Sequence, residues 1–60
     1  MMNHEIMNVR ELATYLRCHQ STIYRLLKTG KLPAFKVGSD HRFLRSEIDK
    51  WMLRLQNDAK

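Results

Sequence analysis

Apolar residues recur at helical spacing in three places along this chain and alternate with polar ones in a fourth. Val9, Leu12, Ala13 and Leu16 fall at i, i+3, i+4 and i+7, which predicts a helix over residues 8–16 with one buried stripe. Asn8 precedes that run and Glu11 follows it by three residues, the pattern of a capping box. Ile23, Leu26 and Leu27 give a second helix over 19–29. Gly30 ends it, because glycine takes the left-handed conformation a helix terminus needs. Ile48, Trp51, Met52 and Leu55 repeat the stripe in a third helix over 45–57, with Glu47 and Asp49 near the positive end of its dipole. Trp51 is assigned to core closure, where an aromatic of its size buries on the order of 200 Å². Each helix thus spends its single stripe on the core.

Between the second and third helices the period changes. Pro33 forbids helix continuation. Ala34–Val37 and His41–Leu44 are β-prone runs around the turn cluster Gly38-Ser39-Asp40. Alternation points Phe35 and Val37 to one face, where Phe43 can join them, and Lys36 to the other with Arg42. A hairpin with its aromatics inward and its cations outward is a wing. Arg17, Cys18 and His19 make the tight turn between the first two helices, the length a helix-turn-helix needs. With no glycine there, Arg17 or Cys18 must hold a costly backbone position. The expected fold is mainly α: a small winged helix-turn-helix of three helices plus a two-stranded β-hairpin wing. Residues 1–7 are expected to be a flexible tail, 8–57 the domain and 58–60 a frayed end.

Charge sharpens this picture. The 60-residue chain carries +5, and from Arg17 to Arg45 seven Lys/Arg stand against one acid, Asp40. The flanking segments are nearly neutral. A basic block between balanced ends suits a polyanion-binding surface. On the second helix Ser21, Arg25 and Lys28 fall together opposite the apolar stripe, with Thr22 and Tyr24 on its flanks. Arg25 is placed either to fork onto guanine O6 and N7 or to clamp a phosphate. Lys28 suits a phosphate or the helix dipole. Ser21 and Thr22 could bond phosphate beside backbone N–H groups or simply cap the helix. Tyr24 could touch a sugar or a thymine methyl, or lean on the core edge.

Other chemistry finds little footing. The single cysteine, Cys18, cannot form an intramolecular disulfide, which makes a reducing compartment the default. The start MMNHEIMNV lacks the pattern of a signal peptide, and no apolar run approaches a membrane span. Cys18, His19, His41 and His4 lack metal-ligand spacing, so no metal or other cofactor is expected. A chain this short buries only about 60% of its unfolded surface, leaving no room for a catalytic cleft, so it is not expected to be an enzyme.

Taken in order, NVRELATYL, STIYRLLKTGKLPAFKVG, RF and EIDKW resemble the excisionase-type helix-turn-helix domain, a family related to the winged DNA-binding domain of MerR-type regulators. The likeness covers roughly residues 7–53. It implies that Ser21, Thr22, Tyr24, Arg25 and Lys28 on the helix, and Lys36, Ser39, His41 and Arg42 on the wing, contact DNA. The chain departs from the family at Arg17, where the turn usually has glycine, and at His19, where a small hydroxyl usually caps the recognition helix. The expected function is sequence-specific binding of double-stranded DNA in the cytoplasm, at the nucleoid, as a recombination directionality factor (excisionase) or a small transcriptional regulator. The expected partners are DNA, an integrase or recombinase, and further copies of the protein on DNA. The MerR-type dimerisation helix has no room after Leu55, so a monomer is expected in free solution. The alternative is a protein-interaction adaptor that docks an acidic partner on the same basic surface.

Overall fold

The computed structural model describes residues 5–58. Its order is β1 (Ile6–Met7), α1 (Val9–Leu16), α2 (Gln20–Thr29), β2 (Phe35–Val37), β3 (Asp40–Leu44) and α3 (Arg45–Asp58). Three helices and a three-stranded antiparallel sheet of order β1-β3-β2 form a small winged helix-turn-helix. The expectations for Met1–His4 and for Ala59–Lys60 lie outside the described residues.

The start and the end of α1 follow from local chemistry. The Asn8 side chain accepts from the Glu11 N–H at 2.8 Å, and the Glu11 carboxylate accepts from the Asn8 N–H at 2.9 Å, so the capping box is complete. Arg17 closes α1 in the left-handed conformation, φ 58° and ψ 49°, with its N–H turned back onto Thr14 O at 3.1 Å. The glycine-less turn therefore places its strain on Arg17. Left-handed backbone costs a non-glycine residue about 1–2 kcal/mol, partly offset because glycine loses about 0.5–1 kcal/mol more on ordering. Arg17→Gly should raise stability by about 0.5–1 kcal/mol in a urea titration. An unchanged or lower midpoint would show that the Arg17 side chain makes a compensating contact.

The core is one cluster of Met7, Leu12, Ala13, Ile23, Leu32, Phe43, Ile48 and Trp51. Phe43, Leu12, Ile23 and Ile48 are fully buried. On the far side of α1, the Tyr15 hydroxyl donates to Asp49 Oδ1 at 2.6 Å, tying α1 to α3. The Arg45 guanidinium lies 5.0 Å from the Tyr15 ring centroid. A hydrogen bond to Tyr15, and then its charge interaction with that residue, push the Arg45 pKa up.

Four expectations are corrected. Residues 6 and 7 are not tail: Met7 pairs with Phe43 and Ile6 with Leu44, and Met7 is buried in the core. The gain of burying a methionine against Phe43 explains why a third strand forms where alternation was too short to announce one. Second, the hairpin faces are exchanged. Val37 pairs with Asp40, Lys36 with His41 and Phe35 with Arg42. Residues opposite each other share a face, so Arg42 lies with Phe35 and Val37, while Phe43 shares its face with His41 and Lys36. The cause is the two-residue loop Gly38-Ser39, with positive φ at Gly38 (66°) and not at Ser39, the sign pattern of a type II′ turn. A three-residue loop would have shifted register by one and reversed every side chain. Phe35 and Val37 are accordingly exposed. Third, Leu55 is 49% exposed rather than on the buried stripe, and Leu53 is 61% exposed. Ile48 and Trp51 are the buried residues of α3 and Met52 packs partly against the core, so apolar surface remains beyond its first turns. Fourth, α3 continues through Asp58, one residue beyond its expected end.

Candidate nucleic-acid interface

The outer face of α2 carries cations that form no ion pair among the described residues. Ser21, Arg25 and Lys28 recur at i, i+4 and i+7, are all exposed, and share a helix that contains no acid. Ile23 opposite them is fully buried, and Leu26 and Leu27 pack partly against the core, which locks the helix rotation. Thr22 is half-buried on one flank and Tyr24 is 50% exposed on the other. Gly30, at φ 73°, stops α2, and its N–H reaches Leu27 O at 3.2 Å. Thr29 reinforces that end by donating to Leu26 O at 2.6 Å and accepting from the Lys31 N–H at 3.2 Å.

The start of α2 sets aside the capping reading of its hydroxyl residues. His19 is the N-cap and makes no side-chain capping bond. Ser21 and Thr22 sit inside the helix, so neither is its cap. The Thr22 N–H reaches His19 O at 3.0 Å. Among the described residues, the first turn of α2 therefore keeps N–H groups that no side chain caps, in contrast to the closed capping box of α1.

The hairpin supplies a second group of polar side chains. Arg42 is partly buried, pairs with Asp40 at 3.7 Å and donates from its guanidinium to His41 O at 3.1 Å. Lys36 and Ser39 are exposed. Between the start of α1, the start of α2 and the hairpin turn lies an open groove of about 580 Å³. Tyr24, Ser39, His41 and Arg42 meet there, joined by Arg10 and Gln20. Ser21, Thr22, Arg25, Lys28 and Lys36 do not line it. Arg10 and Gln20 were missed by sequence reasoning. Each belongs to the first turn of its helix and looks like ordinary solvated surface until α1 and α2 pack against each other. Among the described residues, no group of three or more His, Cys, Asp or Glu comes together as a metal site, and no helix is long and apolar enough to cross a membrane.

Comparison with known proteins agrees with this geometry. The helix-turn-helix domain family matches residues 6–56. Two Mycobacterium tuberculosis proteins, from strain CDC 1551 / Oshkosh and strain ATCC 25618 / H37Rv, carry the provisional name of DNA-binding protein. Each is 40% identical over 38 residues, which is 63% of this chain and 49% of the relative. The chain thus spans about half the length of the curated relatives it matches. No solved structure matches significantly.

Proposed function

Because the chain belongs to the helix-turn-helix domain family, we propose that it binds double-stranded DNA, with α2 in the major groove and the β2–β3 hairpin along the neighbouring backbone or minor groove. The observation that carries this reading is the exposed Ser21, Arg25, Lys28 face on an acid-free helix fixed by a buried Ile23. Ser21 and Thr22, beside uncapped N–H groups, suit phosphate. Arg25 is the base reader, Lys28 a phosphate contact and Tyr24 a sugar or methyl contact. Lys36, Ser39, His41 and Arg42 are the wing's contacts. No cofactor enters, and the protein acts by occupying DNA rather than by catalysis. Its place of action is the cytoplasm.

Arg25→Ala tests the central assignment. It should cost about 1–3 kcal/mol on the selected site and relax base preference at one position. Equal losses on selected and random duplexes would reduce Arg25 to a phosphate grip. Within this reading, the excisionase-type resemblance of the motifs favours either recombination directionality beside an integrase or control of transcription. Footprinting on the upstream region of the protein's own gene and on the attachment sites of a neighbouring integrase separates the two. Protection at attachment sites alone would set the regulator aside. One such module buries only about 600–1,000 Å² on DNA, so a free monomer that gathers in several copies on repeated sites is the assembly we favour. An adaptor for an acidic protein would share the basic surface. It becomes the better reading if a low-salt titration shows no duplex binding.

A further inference from the structure

The groove between the starts of α1 and α2 and the hairpin turn has a composition that no core function needs. It is lined by two guanidinium groups, Arg10 and Arg42, with Gln20, Tyr24, Ser39 and His41. Asp40 also lines it and is already engaged, 3.7 Å from Arg42. Arg10 is exposed and takes part in no ion pair among the described residues. Its helix is anchored by buried Leu12 and Ala13, so Arg10 is presented from a fixed position. An open cleft with two cations, an imidazole, an amide and hydroxyls fits an extended anion better than an apolar ligand.

The placement of the groove selects which anion. In a duplex, the ridge that separates the major groove from the minor groove is the sugar–phosphate backbone of one strand. A protein with one element in the major groove and another beyond it must receive that ridge between the two. Here the space between α2 and the hairpin is this groove.

We propose that the groove seats one strand's sugar–phosphate ridge. Arg10 and Gln20 grip phosphate from the helix side and Arg42 grips it from the hairpin side. Asp40 holds Arg42 in the free protein and gives it up to phosphate on binding. The inference rests on the DNA-binding reading and adds α1 to the interface. Arg10 and Gln20 become positioning contacts that set the register of α2 without reading bases.

The test compares the full chain with Arg10→Ala, Asp40→Asn and Arg54→Ala by fluorescence anisotropy on the selected duplex and on an unrelated one, across a salt series. Circular dichroism melts confirm that all fold alike, since Arg10, Asp40 and Arg54 are exposed. Arg10→Ala should weaken both duplexes by a similar factor and make the log–log salt slope shallower by about 0.9, the loss of one phosphate contact. Asp40→Asn should tighten both duplexes, because a carboxylate repelled by phosphate is gone. Arg54→Ala, outside the groove, should stay near the parent. Arg10→Ala with the parent's affinity and slope, or Arg54→Ala falling as far as Arg10→Ala, would overturn the proposal while leaving DNA binding intact. Absence of binding to any duplex by the parent would overturn both readings. Inorganic phosphate, matched to chloride in ionic strength, serves as the small-anion probe and should compete no better than chloride. Selective competition by phosphate that Arg10→Ala abolishes would assign the groove to a free anion instead.

Discussion

Replacing Trp51 by alanine is expected to cost about 3–5 kcal/mol, the range for removing a large aromatic from a core. Trp51 is only 9% exposed and, with Ile48, is what α3 contributes to the buried cluster. A 60-residue chain has a total stability of roughly 3–9 kcal/mol on the usual scale per residue. The variant should therefore be partly or wholly unfolded at room temperature, with DNA binding lost alongside. Leu55→Ala on the same helix is the matched control. At 49% exposure its loss should stay within about 0.5 kcal/mol. Urea titrations of both variants decide the matter. A cooperative Trp51→Ala transition with nearly the parent's midpoint would mean that the indole covers a partner surface and not the core.

That contrast also marks where a helical stripe stops being informative. The i, i+3, i+4, i+7 pattern in α3 treats Trp51 and Leu55 alike, because periodicity records which side a residue faces and not how far the neighbouring elements extend. Ile48 and Trp51 are buried, whereas Leu55 lies beyond the buried cluster. The features that local chemistry controls were legible. The Asn8–Glu11 capping box, a left-handed residue at Arg17 or Cys18, the Gly30 stop and the orientation of α2 each follow from interactions within a few residues, and the structure puts the left-handed residue at Arg17. The β elements were less so. Ile6-Met7 is two residues long and owes its strand to Phe43 and Leu44, more than thirty positions away. The hairpin's faces turn on whether its loop has two residues or three, and a one-residue difference exchanges inside for outside.

The same distinction runs through the interface. Arg25, Lys28 and Ser21 could be grouped from helical geometry alone, since their shared face is a property of one helix. Arg10 and Gln20 could not, because the groove they line exists only after two helices and a hairpin meet. Arg42 shows a mixed case. Its place on the wing was legible, but its ion pair with Asp40 depends on the observed register and side-chain path. The wing thus carries an internal counter-charge that the sum of cations in this segment hides.

Binding should be steeply weakened by salt, and the slope measures how many of these cations meet phosphate. Counterion release gives a log–log slope of about −0.9 for each phosphate neutralised on duplex DNA. Arg10, Arg25, Lys28, Lys31, Lys36 and Arg42 lie on or near α2, the groove and the hairpin, whereas Arg45 is engaged by Tyr15 behind α1. With about four to six of those six engaged, the slope should be about −4 to −5. Raising salt from about 50 to 200 mM would then cost a factor of about 250–1,000 in affinity, or about 3–4 kcal/mol. Arg42 contributes less than a full contact if Asp40 stays beside it, so the steep end requires the pair to open. Anisotropy titrations at four or more salt concentrations give the value directly. A slope near zero would refute a backbone-gripping footprint altogether, and a slope of about −2 would confine the contacts to α2 and leave the hairpin off the DNA.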